Sequence, residues 1–194
     1  MAEKRATFMV TGIVRAAFVH LIDKYAQEEG QTEKYSMMIL IPKTDKETLS
    51  KIKACTDAAK AKGQTEKWGG SVPNGLKTPL RDGDTDDSFA EDENFDGMYF
   101  LNCNSNNQPG LIDRYKVKID PKDEEDRKQI FSGMYCRVSL NFFPYAAKGN
   151  KGVAAGLNNV QKIKDGEFMG GRSRAEDDFD EYDPGTDEDD DFMS

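Results

Sequence analysis

Residues 134–146 read MYCRVSLNFFPYA, and a period of two runs through them without a break. Cys136, Val138, Leu140 and Phe142 fall on one face, which is apolar throughout. Tyr135, Arg137, Ser139, Asn141, Phe143 and Tyr145 fall on the other. Successive side chains of a strand point to opposite sides of its sheet, so this pattern predicts a strand with one face in a core. The second face should meet solvent, yet it carries three rings and an arginine. Rings interleaved with cations on a sheet surface suit a single-stranded nucleic acid, whose bases stack on the rings while Lys and Arg track the phosphates. The plainer alternative is that Phe143 and Tyr145 bury beneath a loop and the cations are merely solvated.

Strand signals extend in both directions from this stretch. Residues 5–20 (RATFMVTGIVRAAFVH) are rich in β-branched and aromatic types and predict one long strand bent near Gly12. KYSMMILI (34–41) predicts a second, ended by Pro42. Thr44 with Glu47 three residues later forms a capping box for a helix, Leu49, Ile52 and Ala59 give it an apolar face, and Gly63 stops it. Residues 63–96 are rich in Gly, Pro and Asp and predict a long loop insertion. GMYFLNCNS (97–105) and LIDRYKVKID (111–120) predict strands joined by the turn NNQPG. In the latter, Tyr115, Val117 and Ile119 face one way and Arg114, Lys116 and Lys118 the other. Pro121 followed by DEEDRKQIF predicts a short helix, and KGVAAGLNNVQKIKDGEF (151–168) a last strand. Strands, helix, then strands predict a mainly β fold: a small antiparallel barrel with one helix, rather than a βαβ array.

The charge is unevenly placed. The chain has 27 Lys+Arg and 36 Asp+Glu, a net −9. Residues 176–194 hold eleven of the acids and no base, which leaves 27 basic against 25 acidic residues, about +2, on the rest. Such a block of like charge predicts a disordered interaction tail. Phe179, Tyr182 and Phe192 stand among its acids, and solubility alone does not require them. The remaining residues fit one domain of ordinary size.

Other chemistry is poorly supported. Cys55, Cys103 and Cys136 are odd in number and scattered, which argues for a reducing, cytoplasmic setting and against a disulfide framework. The apolar stretch near the start ends at Arg15 without a cleavage site, and no run is long enough for a membrane helix. The single His20 lies in a hydrophobic run (FVHLI), unsuited to a His-based triad. DGDTDDSFAEDE places Asp82, Asp84, Asp86 and Glu93 at calcium-loop positions, but Asp87 stands where the sharp turn needs Gly. No metal or cofactor is expected.

KYSMMILIPKTD, TPLRDGD and the run FSGMYCRVSLNFFPYAAKGNKGVAAGLNNVQKIKDGEFMGGR together resemble the single-stranded DNA-binding proteins of tailed bacteriophages. The resemblance runs in order from about Arg5 to Arg174, and KGVAAGLNNVQ and PLRDGD are its most specific parts. It implies an OB-fold domain (1–172) that coats single-stranded DNA in phage replication and recombination, acting as a binder and not an enzyme. It further implies an acidic tail (173–194) and dimers. In such proteins the tail ends in an aromatic residue, whereas here Phe192 is followed by Met193 and Ser194. A tethered polyanion competes for a cationic groove at high effective concentration. Once displaced by DNA, its Phe179, Tyr182, Asp189, Asp190, Asp191 and Phe192 are free to engage a polymerase, helicase or other replication partner.

The candidate DNA contacts are then Tyr135, Phe143 and Tyr145 for stacking. Arg15, Arg81, Arg114, Lys116, Lys118, Arg137, Lys148 and Lys151 are the candidates for phosphates. Arg81 is included for its place in PLRDGD, and Lys148 and Lys151 for a Gly-rich turn that can approach a backbone closely. Two rivals belong to other classes: an acidic DNA mimic, whose acids would spread over the folded surface, and a metal-dependent nuclease, whose carboxylates would cluster on ordered strands.

Overall fold

A computed structural model of the protein describes residues 6–170. The elements in chain order are β1 (Phe8–Val10), β2 (Val14–Tyr25), β3 (Lys34–Pro42), α1 (Lys46–Glu66), β4 (Arg81–Asp82), β5 (Met98–Ser105), β6 (Gly110–Ile112), α2 (Glu124–Lys128), β7 (Tyr135–Ala147) and β8 (Asn150–Lys164). A 3-10 turn at Glu93–Phe95 lies between β4 and β5. Among the described residues no helix is long and apolar enough to cross a membrane.

Strands β2, β3, β5, β8 and β7 pair in that order, and β7 returns to β2, so the sheet closes on itself. This is the five-stranded barrel of an OB-fold. The expected antiparallel pairing holds except at the closure, where β8 runs parallel to β5 and, further along, to β6. The alternation in 134–146 is realised: Cys136, Val138, Leu140 and Phe142 are buried, joined by Val153, Ala155, Leu157 and Val160 from β8.

Several local expectations are corrected. The long strand at 5–20 is two strands, because Gly12 is drawn against the start of α1 instead of a strand neighbour. Its N–H donates to Thr48 Oγ1 at 2.9 Å, and a Cβ there would lie 2.8 Å from Asp45 Oδ2. The cap of α1 is Asp45 and not Thr44: Asp45 Oδ1 accepts from Thr48 N at 3.0 Å. Glu47 pairs forward with Lys51 at 2.8 Å instead of closing a capping box.

Gly63 does not end α1, which continues to Glu66. A Cβ at Gly63 would lie 2.6 Å from Trp68 Cη2 and 2.7 Å from Pro144 Cβ, so the glycine lets helix, tryptophan and β7 meet. Trp68 completes that contact by donating from Nε1 to the Tyr145 carbonyl at 3.1 Å.

The strand expected over 111–120 stops at Ile112. Asp113 turns the chain there, its Oδ1 accepting from Tyr115 N at 2.8 Å and Val117 N at 2.9 Å. Lys116 has a left-handed φ of 67°, so the face alternation fails. Tyr115 and Val117 are exposed, while Ile119 is buried. The three cysteines are free and buried, and burial raises the thiol pKa of each, as suits small core residues.

The contact at Gly63 decides a sign. Alanine inside a helix is ordinarily more stable than glycine by about 1 kcal/mol. Overpacking against Trp68 and Pro144 should cost about 1–3 kcal/mol and outweigh that gain. Gly63→Ala is therefore expected to lower the midpoint of urea unfolding; a higher midpoint would show that the contact has slack.

Candidate nucleic-acid interface

The outer face of β2, β3 and β5 is only partly covered. Ala17, Met38, Leu40 and Phe100 project outward there and are sealed by Phe95, with Phe89, Met98 and Met169 packed on the same cluster. Phe89 stacks on Phe95 with centroids 4.2 Å apart and meets Phe100 edge-on at 5.2 Å. The acid-rich insertion thus forms a cover. Three of its carboxylates are paired: Lys43 reaches Asp82 and Asp84, each at 2.6 Å, and Arg81 reaches Asp86. These hydrogen bonds raise the Lys43 pKa, and the bond from Lys43, then that from Gly97 N, lowers that of Asp84.

Beyond this cover the same sheet face is open as a groove of about 600 Å³. Phe18, His20 and Tyr25 of β2, Lys34 and Ser36 of β3, and Asn102 and Asn104 of β5 line it, with Arg81, Phe89 and the β2–β3 loop at its margins. Phe18 is 55% exposed and Tyr25 48%. The His20 ring lies flat on Tyr25, centroids 4.1 Å apart and planes 7° from parallel. Burial lowers the His20 pKa, because the partly desolvated imidazole disfavours charge. Arg81 lies over the Phe100 ring at 5.1 Å.

Past the groove the outer surface of the barrel passes from β5 to β8. Asn104 pairs with Gly156 across the β5–β8 junction. Gly152, Ala154 and Gly156 occupy the outer face of β8, since the alternate residues Val153, Ala155 and Leu157 are in the core. Their small size leaves room for two rings of β7. Phe143, 41% exposed, lies opposite Ala154 and over Gly156; Tyr145 lies opposite Gly152 and against it, half-buried. Phe143 is thus not covered by a loop. Lys148, with φ 49°, and Lys151 are exposed at the hairpin tip beside these rings.

The other expected contacts lie apart from the groove. At the far end of β7, Tyr135 is half-buried between the Arg15 guanidinium at 5.9 Å and the Lys164 ammonium at 4.9 Å. Arg15 is committed to internal bonds, from Nε to Gly133 O at 3.3 Å, Nη1 to Asn94 Oδ1 at 3.2 Å and Nη2 to Glu167 O at 2.8 Å. Arg137 donates from Nε to Thr11 O at 3.3 Å and is otherwise exposed. Arg114, Lys116 and Lys118 sit on the tip formed by Asp113, exposed, with Arg114 over Tyr115 at 5.5 Å. Phe179, Tyr182, Asp189, Asp190, Asp191 and Phe192 lie outside the described residues.

Comparison with known proteins places this geometry. The family described as the ssDNA-binding protein of Enterobacter phage Enc34 matches residues 7–193. The chain belongs to that family. A curated relative, protein p50 of Acyrthosiphon pisum secondary endosymbiont phage 1, is 31% identical over 179 residues, covering 87% of this chain and 90% of its own. The fold is that of the solved Enc34 protein in complex with ssDNA: TM-score 0.73, 24% identity, 86% of this chain and 91% of that one. The single-stranded DNA-binding protein gp2.5 of bacteriophage T7 shares the fold at TM-score 0.58 and 16% identity, over 90% of this chain and 95% of its own.

Sequence reading of this Enc34-family chain missed Phe18, His20, Tyr25, Lys34 and Phe89. Phe18 and His20 lay in a stretch read as an unbroken strand, and Phe89 in one read as loop. The one available signal was the density of rings and histidine at 18–25, which the hydrophobic run concealed. His20 gives a direct check. Its lowered pKa means the neutral imidazole is favoured by folding, so this contribution to stability is present above the ordinary value near 6.5 and is lost as pH falls below it. Proton NMR of the single histidine is expected to give a titration midpoint below that of an unfolded peptide; a midpoint above it would contradict the burial.

Proposed function

We propose that this chain binds single-stranded DNA without strong sequence preference and without catalysing a reaction on it, in phage DNA replication and recombination within the host cytoplasm. What carries the reading is the open groove on β2, β3 and β5, with exposed rings and cations on the barrel face that OB-folds use for oligonucleotides. Membership of the Enc34 family, whose solved member holds ssDNA, points the same way.

In this reading bases stack on Phe18, Tyr25 and Phe143, and the strand passes over the small residues of β8 toward Tyr145. Lys34, Arg81, Lys148 and Lys151 follow the phosphates. Arg137, Lys164 and the 114–118 tip offer a second set of cations for a longer strand, with Tyr135 held among them. Arg15 serves mainly to tie β2 to the segment after β8.

Residues 1–172 would then be the binding domain and 173–194 a tail that competes for the groove and recruits replication proteins such as a polymerase or helicase. Supporting this, Met169 packs on the covered cluster whose Met38 and Phe89 border the groove, so the described chain ends on that side of the body. Phe179, Tyr182, Asp189, Asp190, Asp191 and Phe192 would supply the recruiting contacts. A homodimer is the assembly the family resemblance suggests.

The test is a titration with labelled oligonucleotide in the presence of magnesium. Single strand should bind more tightly than duplex of equal length, affinity should fall with salt, and the oligonucleotide should remain intact. Phe143→Ala should weaken binding by about 1–3 kcal/mol without lowering thermal stability appreciably. Equal affinity for duplex would sink the stacking model, and cleavage would favour a nuclease.

Deleting residues 176–194 tests the tail. The net charge changes from −9 to about +2, and the intramolecular competitor is removed. Affinity for single strand should rise, most at low salt where screening is weakest. Superimposable binding curves for intact and truncated protein at two salt concentrations would mean that the tail does not visit the groove.

A further inference from the structure

This inference rests on the single-strand reading of the groove and concerns one residue in it. Between the pairs Ala17↔Met38 and His20↔Ser36, β2 has one residue more than β3, a β-bulge. Ala17 and Phe18 both face outward as a result, while Val19 and Leu21 pack with the main core. Strict alternation from Ala17 onward, with no bulge, would instead turn Phe18 and His20 inward and Val19 and Leu21 outward.

Phe18 takes up the bulge with φ 47°. In bulges of this kind the left-handed position usually belongs to glycine, because a Cβ there crowds the backbone. Neither local geometry nor core packing explains a phenylalanine. The ring is 55% exposed, and it meets Phe89 only at a centroid distance of 6.0 Å and a tilt of 53°. The bulge itself is anchored from outside, the Val19 N–H donating to Ser132 Oγ at 3.0 Å.

We propose that Phe18 is a base-stacking platform held out by a strained backbone: β2 keeps a phenylalanine where glycine would be more stable because its ring takes an unpaired nucleobase. Sparsely populated backbone conformations cluster at ligand sites, where the surrounding structure enforces them. Here β2 is pinned on both sides of the bulge, by β3 and by Ser132. The ring is therefore presented before DNA arrives, and no ordering of the backbone is needed on binding.

Three variants of the full-length protein test this, each melted and each titrated with oligo(dT) at fixed salt. Phe18→Gly should melt above Phe18→Ala by roughly 2–4 °C, the reverse of the order for an ordinary strand position. Both should lose affinity by about tenfold relative to the unmutated protein. Phe18→Trp should keep the affinity, and its indole emission, read as the difference from the unmutated protein whose one tryptophan is Trp68, should be quenched as oligo(dT) binds. Glycine melting at or below alanine would overturn the strain. Unchanged affinity in the glycine variant, or an unquenched tryptophan, would overturn the stack. Failure of the unmutated protein to bind oligo(dT) would instead overturn the single-strand reading itself.

Discussion

The arrangement of the molecule depends on how β8 uses both of its edges at once, antiparallel to β7 from Tyr135↔Lys164 to Ala147↔Asn150 and parallel to β5 at Cys103↔Ala155 and Asn104↔Gly156. Closing the ring this way leaves the strands within it with no unpaired edge to protect. It also locks the register. Val153, Ala155 and Leu157 enter the core only if Gly152, Ala154 and Gly156 face out. A slip of one residue would exchange the two sets. One pairing therefore sets both the core and the smooth strip on which the rings of β7 rest.

The groove owes its shape to the acid-rich insertion. Gly83 passes so close to the backbone at Phe95 that a Cβ would lie 2.7 Å from its carbonyl oxygen. Asp84 Oδ1 accepts from Gly97 N at 2.9 Å, and Lys43 holds Asp82 and Asp84 together, its ammonium also 4.9 Å from the Tyr99 ring. These contacts fold the insertion down so that Phe89 and Phe95 seal half of the sheet face. The other half stays open, with Phe18 at the margin of the cover, 6.0 Å from Phe89, and His20 stacked on Tyr25 beyond it.

Charge is used sparingly. Arg15 and Lys43 are tied to carbonyls or carboxylates of the body, and half-exposed Arg81 shares its guanidinium with Asp86, so a simple count of cations overstates what is free for a partner. Residues 1–175 together are close to neutral, about +2. Affinity for a polyanion in such a body has to come from local placement of a few cations and from stacking, which tolerates any base.

The period of two in 134–146 was enough to establish a strand, its buried face and the rings on its other face, because strand alternation is local and the core punishes any exception. The uneven distribution of acids was equally legible, since charge is additive along a chain. Strand signals that coincide with turn chemistry misled: at 111–120 the alternation of Tyr115 to Lys118 was broken by Asp113, whose carboxylate satisfies backbone donors that a strand would otherwise pair. Gly63 was read as a stop because glycine is a poor helix former, and only the approach of Trp68 and Pro144 reveals why a glycine is needed inside the helix. Of the groove on β2, β3 and β5, only Arg81 was picked out from the sequence. Phe18, Lys34, Arg81 and Asn104 come from four separate strands, and their meeting depends on barrel closure and on a bulge in β2 that the hydrophobic pattern cannot register. Local periodicity determines which residues share a face of one strand; which faces become neighbours is decided by long-range pairing, and that exists only in the folded chain.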